Sequence, residues 1–134
     1  MPETDPTVIL CVDDDPKALL ARRLVLISAG YDVLAATCGE DALRILRRRK
    51  VHLVLTDAFL PRFTASALTA EVKAVDPRIL VVLLSGAPEL PSGVAQADLV
   101  LVKGMAPADF LARIAALLAR ESSGNGRAEG GWSA

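Results

Sequence analysis

Apolar residues along this chain gather in short continuous runs rather than in alternating ones. The strongest runs, rich in valine, isoleucine and leucine, are residues 7–12, 51–56, 79–84 and 99–102, and a weaker run covers residues 32–36. Continuous apolar runs of this length are typical of parallel strands that are covered on both faces. The pattern therefore predicts a buried parallel sheet.

Helical patterns separate the predicted strands. The predicted helices cover about residues 16–28, 40–49, 65–75 and 107–120. Asp15 and Pro16 are typical of an N-cap and a first helical position, so they predict the start of the first helix. Leu20, Leu24 and Ile27 recur at helical spacing and are predicted to form its apolar face.

The alternation of strands and helices predicts an α/β fold with a doubly wound parallel sheet and right-handed crossovers. Residues 87–97 carry two prolines and one glycine, so we expect the fourth helix to be short or irregular. We predict an N-terminal extension at 1–6, one domain at 7–121, and a flexible tail rich in glycine and serine at 122–134.

Composition narrows the possible partners. Fifteen basic and sixteen acidic residues give a net charge of −1, which argues against a general affinity for nucleic acid or for anionic membranes. The first residues do not resemble a signal peptide, and no apolar run approaches the roughly 20 residues of a membrane helix. The two cysteines form no CxxC pair. We therefore expect a reduced, cytoplasmic protein.

Carboxylates follow two of the predicted strands. Asp13, Asp14 and Asp15 come directly after the first strand, and Asp57 comes directly after the third. These two strands are neighbours where the strand order of a doubly wound sheet reverses, so the fold brings their acids together. Two unit charges about 4 Å apart repel by about 4 kcal/mol at an effective dielectric near 20. Either one of the carboxylates is therefore protonated or a hard cation lies among them, and Mg²⁺ suits their oxygen ligands best.

Two further polar residues end strands at the same edge of the predicted sheet. Ser85 ends the fourth strand and Lys103 ends the fifth. A hydroxyl and an ammonium group beside a metal-bound carboxylate can donate hydrogen bonds to the oxygens of a phosphoryl group in transfer. An aspartate oxygen can act as the nucleophile in such a reaction.

The segments VILCVDDDP, VLTDAFLP, VVLLSG and LVLVKG resemble the receiver domains of two-component response regulators. The resemblance covers roughly residues 7–120 and implies a flavodoxin-like sheet with strand order 2-1-3-4-5. It implies that Asp13 and Asp14 are the acidic pair that binds Mg²⁺, and that Asp57 is both a metal ligand and the phosphoacceptor. It also implies that Ser85 is the switch hydroxyl and that Lys103 is the lysine of the family's active site. The backbone carbonyl of Phe59 is implied as a further metal ligand. Asp15 is interpreted as a helix cap.

The resemblance also implies a function and partners. The phosphoryl donor would be a histidine kinase or a histidine phosphotransfer protein, and the output would be contact with a downstream protein. Such a domain assists its own phosphorylation and dephosphorylation and is not a dedicated turnover enzyme. A phosphatase of the haloacid dehalogenase type would need a second aspartate where Phe59 stands.

The sequence departs from the family pattern at several positions. Gly104 follows the lysine where the family places a proline in a cis bond, and a cis non-proline bond costs about 2.5–4 kcal/mol. We therefore expect a trans bond or a rearranged loop, either of which could move Lys103. Val100 stands where the family often has an aromatic residue. These departures leave open a second hypothesis, in which the chain is a degenerate receiver that binds proteins without being phosphorylated.

Overall fold

A computed structural model of the chain describes residues 6–86 and 96–127, with side chains described as far as residue 121. The elements in chain order are β1 (Val8–Val12), α1 (Pro16–Ser28), β2 (Asp32–Ala36), α2 (Gly39–Leu46), β3 (Leu53–Asp57), β4 (Phe59–Leu60), β5 (Phe63–Thr64), α3 (Ala65–Val75), β6 (Leu80–Ser85), β7 (Leu99–Val102) and α4 (Pro107–Arg127).

Five strands form one parallel sheet in the order β2-β1-β3-β6-β7. Setting aside the two-residue strands β4 and β5, this is the predicted order, and the predicted doubly wound α/β fold is confirmed. The register pairs Asp57 with Leu84 and Ser85 with Val102. The carboxyl ends of β3, β6 and β7 therefore reach the same edge of the sheet.

The burial of the strands explains why their sequences are continuous apolar runs. Every residue of β3 and β6 is buried, and so is every residue of β1 after Val8. The helices α2 and α3 add buried side chains to this hydrophobic core, namely Leu43, Leu46, Leu68 and Val72. Cys11 is fully buried in β1.

The predicted apolar face of α1 is wrong. Leu20, Leu24 and Ile27 are 52%, 57% and 47% exposed, whereas Leu19 and Leu26 are buried. Both sets recur at helical spacing, because apolar residues occupy more than one face of α1. Periodicity alone could not decide between two apolar stripes on one helix.

The predicted cap of α1 is confirmed, and α3 has a cap of the same kind. The side chain of Asp15 accepts a hydrogen bond from the amide of Lys17, and that of Thr64 accepts one from the amide of Ala67. Each carboxylate or hydroxyl therefore satisfies an amide that the first turn of its helix leaves unpaired. The end of α2 was predicted too late, because the chain leaves the helix at Arg47 and the amides of 48 and 49 bind the Ile45 carbonyl.

Contacts within the chain define two compact units, one up to Gly104 and the other from Met105 onward. The second unit contains α4, in which Phe110, Ile114 and Leu117 are buried. This helix continues to Arg127, so its predicted end near residue 120 is wrong and residues 122–127 of the predicted tail are helical. Each residue added to an existing helix brings a further hydrogen bond, which here outweighs the helix cost of glycine, about 1 kcal/mol.

The predicted irregular fourth helix lies largely at residues 87–95, outside the described residues, as does the rest of the predicted tail, 128–134. Within 6–86 and 96–127, every helix is too short or too polar to cross a bilayer.

A polar network joins α3 to the edge of the sheet. Asp98, just before β7, accepts hydrogen bonds at Oδ2 from the amide of Val81 and from Lys73 Nζ, both at 2.8 Å. Lys73 Nζ also donates to the carbonyl of Ile79 at 2.7 Å. The Lys73 and Asp98 side chains are only 21% and 25% exposed, so the network is shielded from most of the solvent.

Candidate functional site

Three carboxylates converge at the carboxyl edge of the sheet. Asp13 follows β1 directly, Asp14 comes next, and Asp57 is the last residue of β3. One oxygen of each lies within 4.8 Å of the others. Asp13 is 1% and Asp57 is 8% exposed, whereas Asp14 is exposed to solvent. The acids that the sequence placed at two strand ends therefore form one cluster.

Both oxygens of Asp57 have partners. Oδ1 accepts a hydrogen bond from the amide of Phe59 at 3.0 Å, and Oδ2 accepts one from Lys103 Nζ at 2.8 Å. The Lys103 side chain is 37% exposed and that of Asp57 is 10% exposed. The pair therefore lies at the rim of the sheet, with one member reachable from solvent.

The position of Lys103 depends on the loop that follows β7. Its amide donates to the carbonyl of Ser85 at 2.8 Å, which continues the pairing of β6 with β7 by one residue. Gly104 has a φ of +90°, a conformation that only glycine adopts readily, and the described residues contain no cis peptide bond. The expected trans bond after Lys103 is thus confirmed, and Lys103 still reaches Asp57.

Ser85 ends β6, the strand between those that carry Asp57 and Lys103. It is 1% exposed. Val100, which stands where the family often has an aromatic ring, is half-buried against the core. Ser85 is therefore at the predicted edge, while its role as switch hydroxyl remains a prediction.

The donor set suits a small divalent cation. Mg²⁺ binds oxygens at about 2.1 Å, so opposite ligands lie roughly 4.2 Å apart. The spread of the three carboxylate oxygens, within 4.8 Å, is close to that distance. The hydrogen bond from the Phe59 amide to Asp57 brings this backbone to the cluster, although the use of its carbonyl as a ligand remains a prediction. Asp15 caps α1 and lies outside the three-carboxylate group.

Arg22 belongs to the site, and the sequence analysis missed it. Its Nη1 lies 2.9 Å from Oδ2 of Asp13, and the other oxygen of Asp13 accepts the amide of Asp15 at 2.9 Å. The signal was helical geometry: α1 begins beside the acids, so a long basic side chain two turns along it can reach back toward them.

The loop after Asp57 forms a hairpin that the sequence did not predict. Strands β4 and β5 pair across Pro61 and Arg62, and Arg62 has a φ of +71°. Proline followed by a residue of positive φ is typical of a type II turn, which usually has glycine at that second position. The ring of Phe63 in β5 lies against Gly39 at the start of α2.

A family model described as "Response regulator receiver domain" matches residues 9–115. The chain is 39% identical over 90 residues to the transcriptional regulatory protein GlrR of Escherichia coli (strain K12), covering 67% of this chain and 20% of GlrR. It is 31% identical over 124 residues to the transcriptional regulatory protein PrrA of Mycobacterium tuberculosis, covering 90% of this chain and 53% of PrrA. The chain thus spans one fifth to about half of these relatives.

Solved structures agree with the family match. A CheY-like response regulator receiver domain protein from Methanospirillum hungatei JF-1 superposes with a TM-score of 0.82 at 26% identity, covering 89% of this chain and 98% of that one. The signal receiver domain of an HD domain-containing protein from Pseudomonas fluorescens Pf-5 gives 0.80 at 26% identity, covering 89% and 99%. This chain belongs to the response regulator receiver domain family of two-component signalling.

Proposed function

We propose that this domain accepts a phosphoryl group on Asp57 from a phosphohistidine and then signals by binding another protein. The observation that carries the proposal is the pairing of a nearly buried carboxylate with Lys103 at 2.8 Å, inside a cluster of acids. The donor would be a histidine kinase or a histidine phosphotransfer protein.

In the proposed step, a carboxylate oxygen of Asp57 attacks the phosphorus of the phosphohistidine. A phosphorus–oxygen bond forms while the phosphorus–nitrogen bond breaks, and the imidazole nitrogen keeps the electron pair of that bond. Lys103 Nζ, which donates a hydrogen bond to Asp57 before phosphorylation, would then donate to the phosphoryl oxygens as negative charge develops on them. Asp57 becomes an acyl phosphate at each transfer and is regenerated when that phosphate is hydrolysed, so the domain is proposed to be a phosphorylated switch and not a dedicated turnover enzyme.

Asp13, Asp14 and Asp57, with the backbone at Phe59, would hold Mg²⁺. When bound, the cation offsets the repulsion between the carboxylates and an incoming phosphoryl group. The spacing of the three oxygens supports this assignment. The exposure of Asp14 leaves a route by which a hydrated cation can enter without unfolding the site.

The output of the domain is proposed to be a protein contact. The named relatives are transcriptional regulators longer than this chain, but a net charge of −1 gives this domain no general attraction to nucleic acid.

Val100 provides no aromatic ring behind Ser85, so a conformational change on phosphorylation would have to pass through backbone movement or through Ser85 itself.

Incubation with acetyl phosphate and Mg²⁺, followed by intact-mass measurement, tests the proposal. We expect the wild type to gain one phosphoryl group, Asp57→Asn to gain none, and Asp32→Asn to behave as wild type. Asp32 is a suitable control because it is exposed at the start of β2, away from the carboxyl edge. A wild type that stays unlabelled with this donor and with a phosphohistidine donor would favour the degenerate, phosphorylation-independent receiver.

A further inference from the structure

The ion pair between Arg22 and Asp13 joins α1 to the acidic cluster. The Arg22 side chain is 14% exposed and the Asp13 side chain 2% exposed. A carboxylate this deeply buried is strongly destabilised unless a positive charge and hydrogen bonds compensate it. Arg22 supplies both, because its guanidinium carries a positive charge and its Nη1 donates to Oδ2 of Asp13 at 2.9 Å.

The charges around the cluster show what this pair changes. Asp13, Asp14 and Asp57 carry three negative charges when ionised, and Arg22 and Lys103 return two positive charges. The site therefore presents a net charge of −1 to an approaching cation. Without Arg22 it would present −2, and the attraction for a divalent ion would rise accordingly.

Arg22 also occupies a position at which it competes with the metal for Asp13. With Oδ1 bound by the Asp15 amide and Oδ2 by Arg22, both oxygens of Asp13 already have partners. A cation that draws on Asp13 must share an oxygen with one of them. Asp14 is exposed, and its side chain forms no hydrogen bond or ion pair with residues 6–86 or 96–121.

We propose that Arg22 is a built-in counter-cation: it holds the acidic cluster folded without metal and, in return, weakens Mg²⁺ binding. The inference rests on the proposed function, because it takes this cluster to be the Mg²⁺ site. Its consequence is that half-occupancy of the site requires a higher Mg²⁺ concentration than it would without Arg22.

Three variants separate charge from shape. Arg22→Met keeps the apolar stem but removes the charge, Arg22→Lys keeps the charge but not the fork, and Arg23→Met is the matched control. Arg23 is the next residue on α1, and among the described residues it forms no ion pair with the three acids; its Nε is buried without a hydrogen-bond partner. Mg²⁺ affinity would be measured by calorimetry or NMR titration, together with the unfolding midpoint with and without Mg²⁺.

We expect Arg22→Met to bind Mg²⁺ about fivefold to tenfold more tightly than wild type. We also expect its unfolding midpoint to be lower without Mg²⁺ and to gain more from added Mg²⁺. Arg22→Lys and Arg23→Met should stay within about twofold of wild type in affinity. If Arg22→Met folds only with Mg²⁺ present, the gain from Mg²⁺ is larger still and supports the inference.

Three results would overturn the inference. The first is an Arg22→Met affinity equal to or weaker than that of wild type, which would make Arg22 only a positioning residue for Asp13. The second is an Arg22→Lys affinity as tight as that of Arg22→Met, which would exclude charge as the cause. In either case phosphorylation of wild-type Asp57 would leave the proposed function standing. A wild type and an Arg22→Met variant that both fail to bind Mg²⁺ would overturn the inference together with the proposed metal site.

Discussion

Lys103 Nζ and Asp57 Oδ2 lie 2.8 Å apart, although 46 residues separate them in the chain. The two residues stand at the ends of β7 and β3, with β6 between these strands. The lysine thus crosses the width of one strand to reach the carboxylate. This is the contact that a phosphoryl group on Asp57 would have to share or replace.

Replacing Lys103 with methionine should slow phosphorylation of Asp57 by roughly 10²-fold or more, because one charged donor to the developing phosphoryl charge is lost. The rate with acetyl phosphate and Mg²⁺, followed by intact mass, measures this. Lys17→Met is the control, since Lys17 lies exposed at the start of α1. A Lys103→Met protein that is labelled at the wild-type rate would remove Lys103 from the mechanism.

Gly39→Ala should destabilise the fold by about 1–3 kcal/mol, because an added Cβ would lie closer than 3.0 Å to three atoms of the Phe63 ring. Denaturant unfolding measures the change. Phe63→Ala should make the same substitution nearly free of cost, so a double-mutant cycle should show strong coupling. Gly86→Ala is the control, since a Cβ there meets nothing nearer than 3.8 Å. Additive effects of Gly39→Ala and Phe63→Ala would contradict the contact.

Asp98→Ala should cost about 2–4 kcal/mol of unfolding free energy, because it leaves the Val81 amide and the Lys73 ammonium without their shared acceptor. Asp98→Asn keeps a neutral acceptor and should cost less. The exposed pair of Arg44 and Asp41 provides the comparison: Asp41→Ala should cost no more than about 1 kcal/mol. Equal losses in Asp98→Ala and Asp41→Ala would show that the buried network adds nothing.

The two cysteines should differ sharply in reactivity. Burial raises the pKa of the Cys11 thiol to about 12, and the nearby Arg22 and Arg23 only partly offset this effect. A raised pKa keeps the reactive thiolate negligible at pH 8, and burial blocks access as well. Iodoacetamide at pH 8 should therefore add one group to the native protein, at the half-buried Cys38, and two in denaturant. Cys38→Ser should remain unmodified when native; labelling of Cys11 in that variant would contradict the burial.

The features that sequence predicted well are those with a local or topological cause. Continuous apolar runs predicted the strands, Asp15 predicted the start of α1, and the predicted strand order placed Asp13 near Asp57. Each follows from one rule applied to a few neighbouring residues. None requires knowledge of which side chains meet across the fold.

The features that sequence missed depend on such meetings. Predicting the ion pair of Arg22 with Asp13 requires knowing how α1 is rotated about its own axis. The two apolar stripes on α1 do not determine that rotation. In the hairpin after Asp57, Arg62 has a positive φ, which the residue type arginine does not predict. The hairpin packs through Phe63 against Gly39, and these two residues are far apart in the chain.

The place of β7 in the sheet has a dynamic consequence. Among the described strands it lies at one edge and is paired on one side only, with β6, whereas β3 has partners on both sides. Edge strands open locally at a lower free energy than central ones. Local opening of β7 would withdraw the lysine that follows it while Asp57 stays in the central strand β3. We therefore expect the charge partner of Asp57 to leave it whenever β7 opens, and hydrogen exchange at the Lys103 amide, which donates to the Ser85 carbonyl, should report the free energy of that opening.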